Sequence, residues 1–225
     1  MATVREQVKK LLSEIPPYVE VVAAAKGRTA EEIIEAIEGG IRIIGENYLQ
    51  EAEKVYKVVG KVEGVQWHFI GHLQRNKVKK VVEMFDMIQT VDSYELAAEI
   101  DRRCKQINKI MPVLIEVNSG REVQKFGVFP EKVEELINAI APLQNIRILG
   151  LMTMGPLTED IKVLRECFKE TKEIFNRLQS KTINNVVMKY LSMGMSNSYQ
   201  LAIEEGANMI RIGTLLFGHR DERKN

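Results

Sequence analysis

Cysteine and histidine are scarce in this chain, and each scarcity removes a class of protein from consideration. There are two cysteines, Cys104 and Cys167, in 225 residues. They lie far apart, lack Cys-x-x-Cys spacing, and both fall in segments with helical periodicity. That excludes a disulfide scaffold or a thiolate zinc site and fits a reducing, cytoplasmic setting. The three histidines form no metal-ligand pattern. His68 and His72 straddle a strand end and Gly71, so they cannot share one helix face. Long apolar runs are missing too. None approaches the ~20 residues that span a bilayer, and the opening MATVREQVKKLLSEI carries both signs of charge and no signal-peptide core. Net charge is only +1, from 32 Lys and Arg against 31 Asp and Glu. No face shows a basic excess, so neither nucleic acid nor a membrane is expected as a partner. The densest basic run, Arg75, Lys77, Lys79 and Lys80, reads as a solvated helix face. There is no long linker or shift of composition. One domain over 1–225 is expected, with Asp221–Asn225 as a frayed tail.

What is present is a regular alternation of buried strands and amphipathic helices. Val19–Lys26, VEVVAAAK, reads as a buried strand that ends abruptly in a lysine. Thr29, with Glu32 three residues on, forms a capping-box signature for a helix over 30–39. The remaining strands are read at 41–45, 65–70, 87–91, 112–117, 146–152, 187–191 and 209–212. Helices are read between them at 48–59, 75–85, 94–107, 131–141, 159–180 and 197–205. Asp92 and Ser93 are read as the cap of helix 94–107. Near-continuous apolar strands argue for a parallel sheet buried on both faces. Eight strand–helix alternations in ~200–250 residues are typical of a closed (β/α)8 barrel. The alternative is an open doubly wound sheet, although no Gly-x-Gly-x-x-Gly turn follows the first strand. Little chain remains after the eighth strand for an outer helix, so the amphipathic segment 3–14 is expected to cover that gap.

In a closed barrel the C-terminal strand ends meet at one mouth. Here they would bring together Lys26, Asn47, His72, Asn118, Met152-Thr153, Ser192–Ser196 and Arg211–Thr214. No acid pair is set for glycoside hydrolysis, and no carboxylate cluster suits a catalytic divalent metal. The turns Ser192-Met-Gly-Met-Ser196 and Arg211-Ile-Gly-Thr214 read as two halves of a phosphate cradle, where glycines let backbone N–H groups approach an anion. Each also reads as a tight turn needing φ > 0 at Gly194 or Gly213. A lysine opposite a phosphate cradle fits an aldehyde that bears a phosphate. Glu46 reads equally as a cap for the helix starting at Tyr48 or as a ligand contact. Trp67 and Phe69, alternating with His68, read as packing residues.

Several longer motifs carry a specific resemblance: Ala25-Lys26, Ile44-Gly45-Glu46-Asn47-Tyr48, Trp67-His68-Phe69-Ile70-Gly71-His72-Leu73-Gln74 and Gln124-Lys125-Phe126-Gly127. To these add Gly150–Met154, Leu191–Ser196 and Ile210–Thr214. In this order, from Val19 to Gly218, the chain resembles the pyridoxal 5′-phosphate (PLP) homeostasis proteins, the YggS/PROSC family. The resemblance implies a single TIM barrel of the alanine-racemase N-terminal-domain type, with an extra N-terminal helix. It implies that PLP is bound through a Schiff base to Lys26, with Arg211 facing the pyridine nitrogen and weakening the ring as an electron sink. Ser192, Ser196, Gly213 and Thr214 match the phosphate region, Asn47 and His72 match residues near the ring, and Met152 is counted among the cofactor-binding residues. Lys125 matches a position associated with cofactor transfer or a second PLP site, and reads equally as a solvated loop lysine. Ala25 and Gly27 depart from the Ser and Thr that often flank the family lysine, and Ser198 stands where Asp is common.

The implied role is intracellular storage and transfer of PLP to apo-enzymes by a cytoplasmic monomer without turnover. An amino-acid racemase on the same fold is the runner-up. It would need a second acid/base group, usually a tyrosine from a separate C-terminal β-domain, for which little sequence follows the last strand. A phosphate-binding barrel enzyme using Lys26 as a free base is the remoter third reading.

Overall fold

The computed structural model describes residues 2–219. The expected frayed tail, 221–225, lies outside the described residues. Helix α1 (Val4–Glu14) opens the chain. Strands and helices then alternate as β1 (Glu20–Ala24), α2 (Ala30–Gly39), β2 (Ile43–Glu46), α3 (Leu49–Val59), β3 (Gln66–Phe69), α4 (Val78–Met84), β4 (Met87–Val91) and α5 (Tyr94–Gln106). The second half continues as β5 (Met111–Glu116), α6 (Val133–Ile140), β6 (Ile146–Met152), α7 (Ile161–Gln179), β7 (Val186–Ser192), α8 (Tyr199–Glu204), β8 (Met209–Ile212) and α9 (Thr214–Phe217). The strands form a closed parallel barrel in sequence order, with β1 pairing to both β2 and β8. The open doubly wound alternative is therefore ruled out.

Local chemistry sets the helix starts. Thr29 and Glu32 make the expected reciprocal capping box, and Thr3 and Glu6 make a second one at α1. Ser93 stands at the N-cap of α5 but makes no side-chain cap. Its hydroxyl donates instead to Asp92 Oδ1 at 3.3 Å, so the expected Asp92–Ser93 cap is corrected. The turn after β8 folds into the one-turn helix α9, too short to be heard in the periodicity of the sequence.

Strand alternation sorts the side chains into two layers. The outward set, including Val21, Ala23, Ile44, Trp67, Phe69, Ile115, Leu191 and Ile210, packs with the helices into the main core. The inward set is smaller: Val22, Ile43, Ile70, Met87, Leu114, Met152 and Met209 fill the barrel itself. Phe85 and Phe168 are fully buried between strands and helices, each contributing ~1.5–3 kcal/mol. Helix α1 packs against α2 and α9, closing the gap in the outer ring as expected. Val8 is fully buried there. A Cβ at Gly39 would stand 2.8 Å from Val8 Cβ, so the glycine sets how closely α1 and α2 approach.

Candidate functional site

The inward parity of β1 runs Val22, Ala24 and then Lys26, so the lysine leaves the barrel wall pointing into the C-terminal mouth. Its Nζ donates to Tyr48 Oη at 3.2 Å and stands 4.7 Å from that ring's centroid. The turn carrying it is fixed from three sides. Ala25 N–H donates to Gly45 O, Gly27 N–H donates to Glu51 Oε2 at 2.8 Å, and Arg28 donates to the carbonyls of Phe217 and Gly218. Arg28 thereby joins the lysine turn to α9.

Across the mouth, Arg211 follows Met209 on the inward face of β8 and is 4% exposed. Its Nη1 donates to Ser192 Oγ and its Nη2 to Thr153 O, both at 2.8 Å. Burial pulls its pKa down to about 10, opposed by the nearby Glu116, so it stays charged at neutral pH. Glu116 is the inward residue at the end of β5. Burial and the neighbouring Asp92 push its carboxyl up to about 7, against the attraction of Arg211. Thr153 also bridges β5 and β6, donating to Val117 O and sharing a 2.8 Å hydrogen bond with Ser119 Oγ.

The two glycine turns differ in kind. Gly194 needs its glycine: φ is +87°, and a Cβ would stand 2.6 Å from Ala202 Cβ. Gly213 does not. Its φ is −115°, and a Cβ would meet nothing closer than Ala24 O at 3.4 Å. A glycine there keeps the backbone open to close approach. The N–H groups of Gly213 and Leu215 converge on Ser196 Oγ at 3.2 and 3.3 Å. Two backbone donors thus aim at one oxygen, the arrangement an anionic oxygen would take over. Thr214 is exposed beside them.

Asn47 and His72 follow β2 and β3 on the same rim. His72 is exposed and stacks on Phe126, ring centroids 3.5 Å apart. A cavity of about 360 Å³ opens beside the pair, bounded by Asn47, Tyr48, Gly71 and Phe126. Gly71 lets the ends of β2 and β3 approach closely, because a Cβ would stand 2.2 Å from Asn47 O and 2.7 Å from Asn47 Cα. Both are backbone atoms, so Gly71→Ala must displace the end of β2. The expected cost is ~1–3 kcal/mol in urea unfolding; wild-type stability would mean that Asn47 moves freely. Lys125 lies in the β5–α6 loop, paired with Glu122 at 2.5 Å. Asn118 holds that loop by donating to Glu122 O and Lys125 O.

The structure therefore brings Lys26, Met152, Ser192, Ser196, Arg211, Gly213 and Thr214 to one mouth, with Asn47 and His72 on its rim. Two groups there escaped the sequence reading: Glu116 was hidden inside an apolar run, and Gln89 appeared as an ordinary strand residue. Strand parity at β5 alone could have flagged Glu116. Glu46 does not cap α3: Tyr48 is the N-cap position, with no side-chain cap. Glu46 is fully buried, and among the described residues neither carboxylate oxygen has a hydrogen-bond partner.

The profile of the family described as "Alanine racemase, N-terminal domain" matches residues 2–221. A protein of Aquifex aeolicus named "Pyridoxal phosphate homeostasis protein" is 42% identical over 199 residues, 88% of this chain and 86% of the relative. The solved structure of PipY from Synechococcus elongatus with PLP bound is 33% identical. It superposes with a TM-score of 0.88, covering 96% of this chain and all of PipY. An alanine racemase of Clostridium difficile is similar in fold alone, at 16% identity and a TM-score of 0.77 over 98% of this chain and 57% of the racemase.

Proposed function

The chain belongs to the alanine racemase N-terminal domain family and, within it, to the pyridoxal phosphate homeostasis proteins, and from that premise we propose that residues 1–225 form a single PLP-binding domain acting in intracellular PLP homeostasis. The observation that carries this is the pairing of one mouth lysine with a buried arginine and two convergent backbone N–H groups. An aldehyde, a ring nitrogen and a phosphate need those three partners. When bound, PLP supplies an electrophilic carbon and an electron-withdrawing ring.

This chain's residues would then divide the work. Lys26 supplies the amine, and Tyr48 orients it. Arg211, charged near neutral pH and donor-only, would give the ring nitrogen a hydrogen bond and no proton. Gly213, Leu215, Ser196 and Thr214 would hold phosphate oxygens, and Ser192 steadies Arg211. Met152 and Asn47 would bound the ring, with His72 at the rim. Lys125 is the candidate for passing cofactor to apo-enzymes, its paired position in a loop giving it reach without burial. Among the described residues no helix is long and apolar enough to cross a membrane, and we place the protein in the cytoplasm as a monomer.

Storage and transfer, not catalysis, is the reading favoured by the named relatives, since the racemase likeness is one of fold alone. Titration with PLP should give a visible band that saturates at one PLP per chain. In deuterated water, α-proton exchange of a panel of amino acids should stay far below the ~1–10³ s⁻¹ usual for enzymes. Exchange at such a rate for any one amino acid, lost in Lys26→Ala, would replace the carrier with an enzyme.

A further inference from the structure

Beneath the mouth, a chain of side-chain hydrogen bonds crosses the barrel interior through four strands. Arg211 Nη1 donates to Ser192 Oγ at 2.8 Å. Ser192 Oγ donates to Gln89 Oε1 at 2.8 Å. Gln89 Nε2 faces His68 Nδ1 at 2.9 Å, and His68 Nε2 faces Gln66 Oε1 at 3.0 Å. Ser192, Gln89 and His68 are fully buried.

The chain has one direction. Guanidinium N–H groups only donate, so Ser192 must accept from Arg211 and send its single O–H onward. The amide oxygen of Gln89 accepts that O–H, which turns the amide NH₂ towards His68. Met209 Sδ lies 3.3 Å from the same nitrogen and agrees with that orientation. Turning the amide over would leave the buried Ser192 hydroxyl without an acceptor, a cost comparable to a lost hydrogen bond. His68 Nδ1 therefore accepts, and its proton sits on Nε2, facing Gln66. Burial drives the imidazole pKa down to about 3, so the ring stays neutral.

We propose that Gln89 and His68 are positioning residues of the cofactor site, fixing the Ser192 hydroxyl and through it the plane of the Arg211 guanidinium. This rests on the reading that Arg211 faces the cofactor ring. The physical need is clear from the competitor: Glu116 attracts the same guanidinium from β5. Two 2.8 Å hydrogen bonds, Nη1 to Ser192 and Nη2 to Thr153, hold Arg211 against that pull. Remove the acceptor behind Ser192, and the hydroxyl turns freely while the guanidinium pivots on Thr153.

Three variants test this. Gln89→Met removes both links at nearly constant length, and His68→Leu removes the acceptor and donor of the ring. His68→Gln keeps one acceptor towards Gln89 and one donor towards Gln66. The first readout is ¹⁵N NMR of the Arg211 guanidinium in protein free of PLP. Wild type and His68→Gln should show separate, slowly exchanging Nη signals, and these should merge in Gln89→Met and His68→Leu. The second readout is PLP release, expected about tenfold faster in those two variants and within about twofold of wild type in His68→Gln. Separate Nη signals in folded Gln89→Met would overturn the proposal, as would a His68→Gln that behaves like His68→Leu. If the signals merge as stated but wild type takes up no PLP, the positioning role stands and the cofactor reading fails.

Discussion

Lys26→Ala is expected to lose the covalent hold on PLP entirely. Wild-type protein mixed with PLP and reduced with borohydride should carry a pyridoxyl group on Lys26, found by peptide mass spectrometry. The alanine variant should carry none at the mouth, and its apparent affinity for PLP should fall by about 100-fold or more, ~2.7 kcal/mol. The variant should still fold. Lys26 is half-buried and makes one side-chain hydrogen bond, to Tyr48, so its removal should cost no more than ~0.5–1 kcal/mol. Lys26→Arg separates two causes of affinity. It keeps the positive charge but has no amine able to attack a carbonyl. If charge alone held the cofactor, the arginine variant would bind nearly as well as wild type. Labelling confined to Lys125 would move the primary site from the barrel to the β5–α6 loop.

Lys26 was legible because its signals are local. A buried strand ending in a lysine, followed by Gly27 and the Thr29–Glu32 box, fixes the parity and the helix start within a dozen residues. The outer-ring role of α1 was legible for a similar reason: an amphipathic helix had no other partner. The inner chain was not legible. Ser192 and Gln89 are 103 positions apart, and Gln89 lies in the strand Met-Ile-Gln-Thr-Val, where the amide could as well face solvent. Only barrel closure turns it inward. Ser93 shows the reverse failure. A residue type that usually caps donates its O–H to Asp92 here, and its oxygen accepts from no N–H of the first turn. For Glu46, the sequence left capping and ligand contact even, and the structure removes capping. It leaves a carboxyl group buried against the outer face of β2, close to the lysine turn.

That buried carboxyl group should make the protein less stable as pH rises. Burial, with added repulsion from Glu51, pushes the Glu46 pKa up from 4.5 to about 8. Its folded-state pKa therefore lies above its unfolded value. Between those two pH values the folded protein holds a proton that the unfolded chain has released, so stability falls with rising pH. At 1.36 kcal/mol per pH unit, the full span is ~5 kcal/mol as an upper limit. Glu116, raised to about 7, acts in the same direction over its own range. His68 acts oppositely, because its folded pKa is lowered from 6.5 to about 3. The stability it contributes is complete above pH 6.5 and disappears as pH falls towards 3. Urea unfolding of the wild type should therefore find its maximum near pH ~5 and a decline through pH 8. Glu46→Gln keeps the size of the side chain and cannot ionise. It should match the wild type within ~1 kcal/mol at pH 4.5 and exceed it by several kcal/mol at pH 9. Ionised Glu46 would also repel Glu51, the group that fixes Gly27 beside Lys26, so the variant should retain PLP better at alkaline pH. Parallel stability curves for the two proteins from pH 4.5 to 9 would show that Glu46 does not hold its proton in the folded state.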